Sequence, residues 1–449
     1  MNAPRILIGG TGSGCGKTTV TLAVLRALQR RGVDLRAFKC GPDYIDPMFH
    51  TAVLGLPSRN LDLFLSDEPS CRAALARCIP EEGCGVIEGV MGYYDGVSGT
   101  TEQASACHLA RATGTPSVLV IRPAGQSLSL AALARGFFDF APNTLAGVIL
   151  NGVRPGMYPF YRDILERAGF RVFGYLPPVP EAEIGDRHLG LITAAEIEDL
   201  QRRLDLLADA AEDALDLDGL LALARTAPAL EPPVPVAAEP VPVRIAIARD
   251  RAFCFYYEDN LDILRALGAE LVEFSPVSDA ALPADIDGLY LGGGYPELYA
   301  AQLAANESMR RAVGEAVAAG LPTVAECGGF LYLHRALTTA DGTFPMVGAL
   351  PVTAHMTNRL QNFGYVTLTA ARDGMLCPAG GTMRAHEFHY LASDDAGGGF
   401  TAVKPNGRQW PCAFVSDTLY AGYPHLHWGA DASAARRFVQ ACARKRRTK

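Results

Sequence analysis

Residues 5–19 read RILIGGTGSGCGKTT, and the parsing of this stretch decides the fold. Arg5 to Gly9 alternate as a buried strand does, and from Lys17 to Arg31 apolar residues return at helical intervals. The glycine-rich segment between them is therefore a turn from strand into helix. Such a turn aligns backbone N–H groups at a helix N-terminus, where their partial positive charge favours a phosphate.

The strict pattern GxxxxGK[ST] requires a glycine where this chain has Thr11. The chain instead matches the variant G-T-x-x-x-x-G-K-T from Gly10 to Thr18. The candidate ATP-binding residues are accordingly Gly10, Thr11, Gly12, Ser13, Gly14, Gly16, Lys17, Thr18 and Thr19. Lys17 neutralises charge at the transferred phosphoryl group, and the Thr18 hydroxyl faces Mg²⁺. A hard cation also needs carboxylate oxygens. Asp43 and Asp46, in FKCGPDYIDP, follow the second apolar strand, and Glu88, in VIEGVMGYYDG, ends the third. The carboxyl ends of parallel strands converge on one crevice, so groups distant in sequence can meet there. Thr18, Asp46 and Glu88 form the candidate metal set, although Asp46 before Pro47 also reads as a turn or cap residue.

Apolar runs at RILIGG, LRAFKCG, GVIEGV, SVLVIRP, LAGVILN and RVFGYLP alternate with helical stretches, which predicts a parallel sheet covered on both faces. A chain of 449 residues calls for two domains. Proline recurs too often for helix or central strand in APALEPPVPVAAEPVPV. Residues 227–242 are therefore expected to link a domain at 1–226 to a second at 243–449. The second repeats the α/β pattern and turns β-rich towards its end. A net charge of −8 argues against nucleic acid as a partner. The basic C-terminal run ARKRRTK reads as a solvated end. Eleven cysteines without CxxC pairs fit reduced thiols, and no apolar stretch is long enough to span a membrane; a cytoplasmic protein is expected.

In the second half, LPTVAECGGFLYL carries an apolar strand straight into Cys327, followed by glycines and a helix. That is the layout of a nucleophile elbow, where a helix N-terminus is expected to lower the thiol pKa. Backbone N–H groups at Gly328, and at Gly293 in LGGGYPE, are candidate oxyanion donors. The base is sought among His386 and His389 of MRAHEFHY and His425 and His427 of YPHLHWG. Alternation puts His425 and His427 on one side of a strand, as base and orienter.

These residues resemble two known families. LGGGYPE and AECGGFLYL are similar to the motifs of class I, or triad-type, glutamine amidotransferases, with His425 at the base position and His427 where that class carries its acid. GTGSGCGKTT, KCGPDYIDP and VIEGVMGYYDG are similar to those of dethiobiotin-synthetase-like ATPases. Together, with GPDYIDP and HLHW, they resemble the cobyrinic acid a,c-diamide synthase family over nearly the whole chain. The resemblance implies an α/β protein, with an N-terminal P-loop parallel-sheet ATPase domain followed by a class I glutamine amidotransferase α/β domain. It also implies a ligase that uses ATP, Mg²⁺ and L-glutamine to amidate the a and c carboxylates of a corrinoid. Hydrogenobyrinic acid and nickel-sirohydrochlorin are alternative ring substrates. By the same resemblance Asp43 and Tyr44 lie near the substrate carboxylate. The sequence does not set how subunits associate, and a homodimer is a candidate assembly.

Overall fold

The computed structural model describes residues 1–447 apart from 185, 188, 189, 192, 193 and 233–238. The chain divides into two compact units, Met1–Pro235 and Val236–Lys449. The middle of the expected linker, 233–238, and the end of the basic run, 448 and 449, lie outside the described residues.

The first unit is built on β1 (Arg5–Gly10), β2 (Leu35–Cys40), β3 (Arg59–Leu61), β4 (Cys84–Glu88), β5 (Ser117–Ile121), β6 (Leu145–Asn151) and β7 (Val172–Leu176). These pair in parallel in the order β3-β2-β4-β1-β5-β6-β7. Helices cover both faces, so β1, β4 and β5 are buried at every position. The three-residue β3 was missed in the sequence because RNL contains no apolar run. Chain order reverses beside β1, so the loops after β1, β2, β4, β5 and β6 open at one end of the sheet. Helices α1 (Lys17–Arg30) and α2 (Ile45–Leu54) start there. Two short strands follow in this unit, β8 (Asp186–Arg187) and β9 (Gly190–Leu191).

The second unit holds two sheets. One contains β10 (Val243–Ala248), β11 (Ala269–Phe274), β12 (Gly288–Leu291) and β13 (Thr323–Glu326). The other contains β14 (Ala336–Thr339), β15 (Gly342–Pro345), the long β16 (Thr353–Ala370) and β17 (Thr382–Ser393), β18 (Phe400–Val403) and β19 (Gln409–Cys412). The chain then returns to the first sheet with β20 (Phe414–Val415) and β21 (Leu419–Gly422), and to the second with β22 (His425–Leu426). The first sheet, in the order β11-β10-β12-β13-β21-β20, is parallel except at its β20 edge. The second is mostly antiparallel and accounts for the β-rich end of the sequence.

The basic run does not dangle as expected from its composition. The C-terminal helix Ser433–Arg446 continues through it; Lys445 Nζ donates to Ala319 O at 2.6 Å and Arg446 to Pro242 O at 2.6 Å. Cations in a last helical turn suit its dipole, and the buried Phe438 and Val439 hold the helix down.

Candidate active site

The loop after β1 enters α1 through Gly16, whose φ of 91° is left-handed. A Cβ there would lie 1.9 Å from Asn151 Nδ2, which itself donates to Cys15 O, so only glycine fits. Lys17 folds back onto Gly12 O at 3.0 Å. The loop borders a cavity of about 740 Å³ together with Lys39, Asp43, Asp46, Glu88, Arg122 and Asn151. Ser13, Gly14, Gly16, Lys17, Thr18 and Thr19 all line it. Gly10, Thr11 and Gly12 are not among the lining residues: Gly10 closes β1, and Thr11 N donates to Val120 O at 3.2 Å.

Thr18, Asp46 and Glu88 come together as the strand-end argument requires. Thr18 Oγ1 donates to Glu88 Oε1 at 2.7 Å and lies 3.3 Å from Asp46 Oδ1. Two further residues, absent from the sequence-based set, complete the cluster. Lys39 Nζ bridges Asp46 Oδ2 at 2.6 Å and Glu88 Oε1 at 3.0 Å, and also donates to Gly89 O. His50 Nε2 lies 2.8 Å from Glu88 Oε2, and its Nδ1 faces Ser58 Oγ.

Burial works against the charge on Glu88, but Lys39, with His50 and Thr18 adding hydrogen bonds, outweighs it and holds the carboxyl below the usual range. Asp46 goes the other way: burial, then the adjacent Glu88 charge, lifts it well above its ordinary value. One hydroxyl and two carboxyl groups are oxygen donors of the kind Mg²⁺ takes when phosphates complete its shell, with Lys39 Nζ lying between the two acids in this structure. The donor set thus fits the expected metal. Asp43 lines the cavity, but its Oδ1 accepts from Ile45 N–H at 3.0 Å and so turns the chain into α2. The half-buried Tyr44 is not part of the cavity wall.

In the second unit β13 delivers Cys327 into the short helix Gly328–Tyr332. Cys327 has φ 45° and ψ −99°, a strained turn for a residue with a Cβ, and its N–H is tied to Gly422 O at 2.8 Å. Gly293 sits between nucleophile and base. A Cβ on it would come within 2.3 Å of His425 Cε1, and one on Gly328 would lie 3.3 Å from Gly293 C. The thiol also reaches β17, with Sγ 4.0 Å from Phe388 O, and β17 pairs His386 with His425.

Two expectations need correction here. The thiol is not activated in the free chain: burial, then the charges of Glu297 and Glu387, push it up, and these outweigh the Gly328 N–H, which favours the thiolate. His425 is drawn down to about 3 by burial and by His386 and His389, so thiol and imidazole are each neutral at rest. β22 ends at Leu426, so His427 follows the strand rather than lying within it. Its Nδ1 accepts from Gly429 N–H and its ring packs edge-on against Tyr257, while the imidazoles acting on His425 are His386 and His389. Gly293 N–H is engaged with Phe255 O at 3.3 Å. The neighbouring Gly294 N lies closer to the elbow, 2.9 Å from where a Gly328 Cβ would sit.

The backbone of the base is clamped by two buried side chains. Glu326 Oε1 accepts from Leu426 N–H at 3.1 Å and Oε2 from the Tyr290 hydroxyl at 3.2 Å. Asn260 donates to Leu426 O and accepts from Trp428 N–H, both at 2.8 Å. Burial lifts Glu326 to about 8, so it acts at neutral pH as an uncharged acceptor beside the nucleophile. Glu326→Gln, which keeps a neutral acceptor of the same shape, should retain most glutaminase activity. Glu326→Ala strands two buried donors at a cost of about 1–3 kcal/mol and should lower glutaminase kcat about tenfold or more. Steady-state ammonia release measures both, and equal losses in the two variants would contradict the clamp.

Residues 6–191 match the CobQ/CobB/MinD/ParA nucleotide binding domain, and residues 244–433 the CobB/CobQ-like glutamine amidotransferase domain. Curated proteins named cobyrinate a,c-diamide synthase align along almost their full length. The Gloeobacter violaceus protein is 42% identical over 97% of this chain and 96% of its own. The Thermoplasma volcanium protein is 39% identical over 99% and 98%, and that of Clostridium tetani 38% over 94% and 96%. The chain belongs to the cobyrinate a,c-diamide synthase family. It is thus a glutamine-dependent amidotransferase ligase with an ATPase unit. Among the described residues, no helix of this family member is long and apolar enough to cross a membrane.

Proposed function

We propose that this protein amidates the a and c carboxylates of cobyrinic acid, using ATP and the nitrogen of glutamine. The observation that carries the reading is the presence, in one chain, of a phosphate loop whose Thr18 meets Asp46 and Glu88, and of a cysteine elbow whose Gly328 abuts Gly293, which in turn lies against His425. His425 takes the proton of Cys327 as sulfur attacks the amide carbon of glutamine. The tetrahedral oxyanion meets the N–H groups of Gly328 and Gly294. His425 returns the proton to the departing nitrogen, so ammonia leaves and a glutamyl thioester remains for water to cleave.

In the first unit an oxygen of the ring carboxylate attacks the γ-phosphorus of ATP and ADP departs. Ammonia then attacks the acyl phosphate and expels phosphate, leaving an amide. A free carboxylate would have to expel oxide, which explains the need for ATP. Lys17 and the exposed Arg122 at the end of β5 supply positive charge towards the cavity. Thr18, Asp46 and Glu88 would hold Mg²⁺, whose chemistry is to neutralise phosphate charge. Asp43, at the mouth of the cavity, is the candidate for positioning the ring carboxylate.

Incubation with cobyrinic acid, hydrogenobyrinic acid and nickel-sirohydrochlorin, with ATP and glutamine, tests the assignment by product mass. Cobyrinic acid should gain two amides at the highest kcat/KM. Preference for nickel-sirohydrochlorin would overturn the choice of ring.

A further inference from the structure

Glu387 projects from β17, one residue before Phe388, whose carbonyl approaches Cys327. It is only 1% exposed. Its Oε2 lies 3.3 Å from His389 Nε2, whereas Oε1, equally buried, has no hydrogen-bond partner among the described residues. His389 cannot swing round to serve it. The Nδ1 of that ring lies 2.6 Å from Leu391 O, which fixes a proton on Nδ1, and the ring lies flat on Tyr423 at a centroid separation of 3.6 Å.

A carboxylate oxygen this deep is costly unless a donor or cation meets it. Glu387 stands on β17 between His386, which pairs with His425, and Phe388, whose carbonyl lies 4.0 Å from Cys327 Sγ; its charge acts on the thiol, as it also does on Cys412, Tyr420 and Tyr423. Glu297 acts on the thiol too, but it is half-buried on the turn Pro296–Tyr299, where water reaches it. Glutamine is a zwitterion. With its amide carbon at Sγ, its ammonium lies a short saturated chain away and is the cation that the site must accommodate.

We propose that Glu387 receives the α-ammonium group of glutamine and thereby selects the amino acid over simple amides. This rests on the glutaminase reading given above. The test compares ammonia release from glutamine and from glutaramate, the same ω-amide without the α-amino group, in the full-length protein and in its Glu387→Gln form. The unaltered protein should favour glutamine by roughly a hundredfold in kcat/KM, and in Glu387→Gln the ratio should collapse towards one, chiefly through a higher KM for glutamine. An unchanged ratio in the variant overturns the proposal. So does equal use of both amides by the unaltered protein, a result that needs no variant to fold. Failure of the unaltered protein to hydrolyse either amide would instead sink the glutaminase reading itself.

Discussion

Cys327→Ala should abolish glutamine-dependent amidation while ammonia-dependent amidation with high ammonium persists. Removing the nucleophile leaves no alternative covalent route, and such deletions lower kcat by about 10⁴-fold or more. Ammonia supplied from solution bypasses the elbow, because the ATP cavity is lined wholly by residues of the first unit. Parallel assays of glutamate formation and of corrinoid amidation with each nitrogen source separate the two activities. Retained glutaminase activity would mean that the nucleophile lies elsewhere. Loss of both activities would mean that the alanine damages more than the elbow.

Lys17→Ala is expected to do the converse. It should stop amidation with either nitrogen source and spare ammonia release from glutamine. Lys17 is 8% exposed and held over the loop by Gly12 O. Burial lowers its pKa, with the Lys39 charge contributing in the same direction. Phosphate oxygens arriving in the cavity would therefore find a desolvated ammonium whose attraction water does not screen. Deleting one such preorganised charge costs roughly 10²–10³-fold in kcat, more where it meets the transferred phosphoryl group. Lys17→Arg provides the control, since it keeps the charge but changes its reach and shape. The measurements are ADP release and amide formation at saturating ammonia. Turnover at the normal rate in Lys17→Ala would remove the loop from the chemistry.

The two variants together probe whether the nitrogen-releasing and carboxylate-activating chemistries are separable, as their placement in different units requires. If either variant disabled the other activity equally, that division of labour would fail.

What the sequence determined by itself is local. RILIGGTGSGCGKTT and LPTVAECGGFLYL each announce a strand, a tight turn and a helix within some fifteen residues. Over that span, backbone sterics and hydrophobic periodicity act on neighbours along the chain. Glu88, too, was legible, as an acid closing an apolar strand. Lys39 occupies a similar strand with Asp46 only seven residues on, but its second partner, Glu88, is 49 residues away, so nothing local marks it as the cation between two acids. His50 lies 38 residues from its partner Glu88, and Asn260 lies 166 and 168 residues from the backbone groups it clamps. How far the alternation from His425 runs was hidden for the related reason that a strand's length depends on its ladder partner, here β17. Tertiary structure alone decided these contacts, because burial converts distant polar groups into obligatory partners and sets their charge.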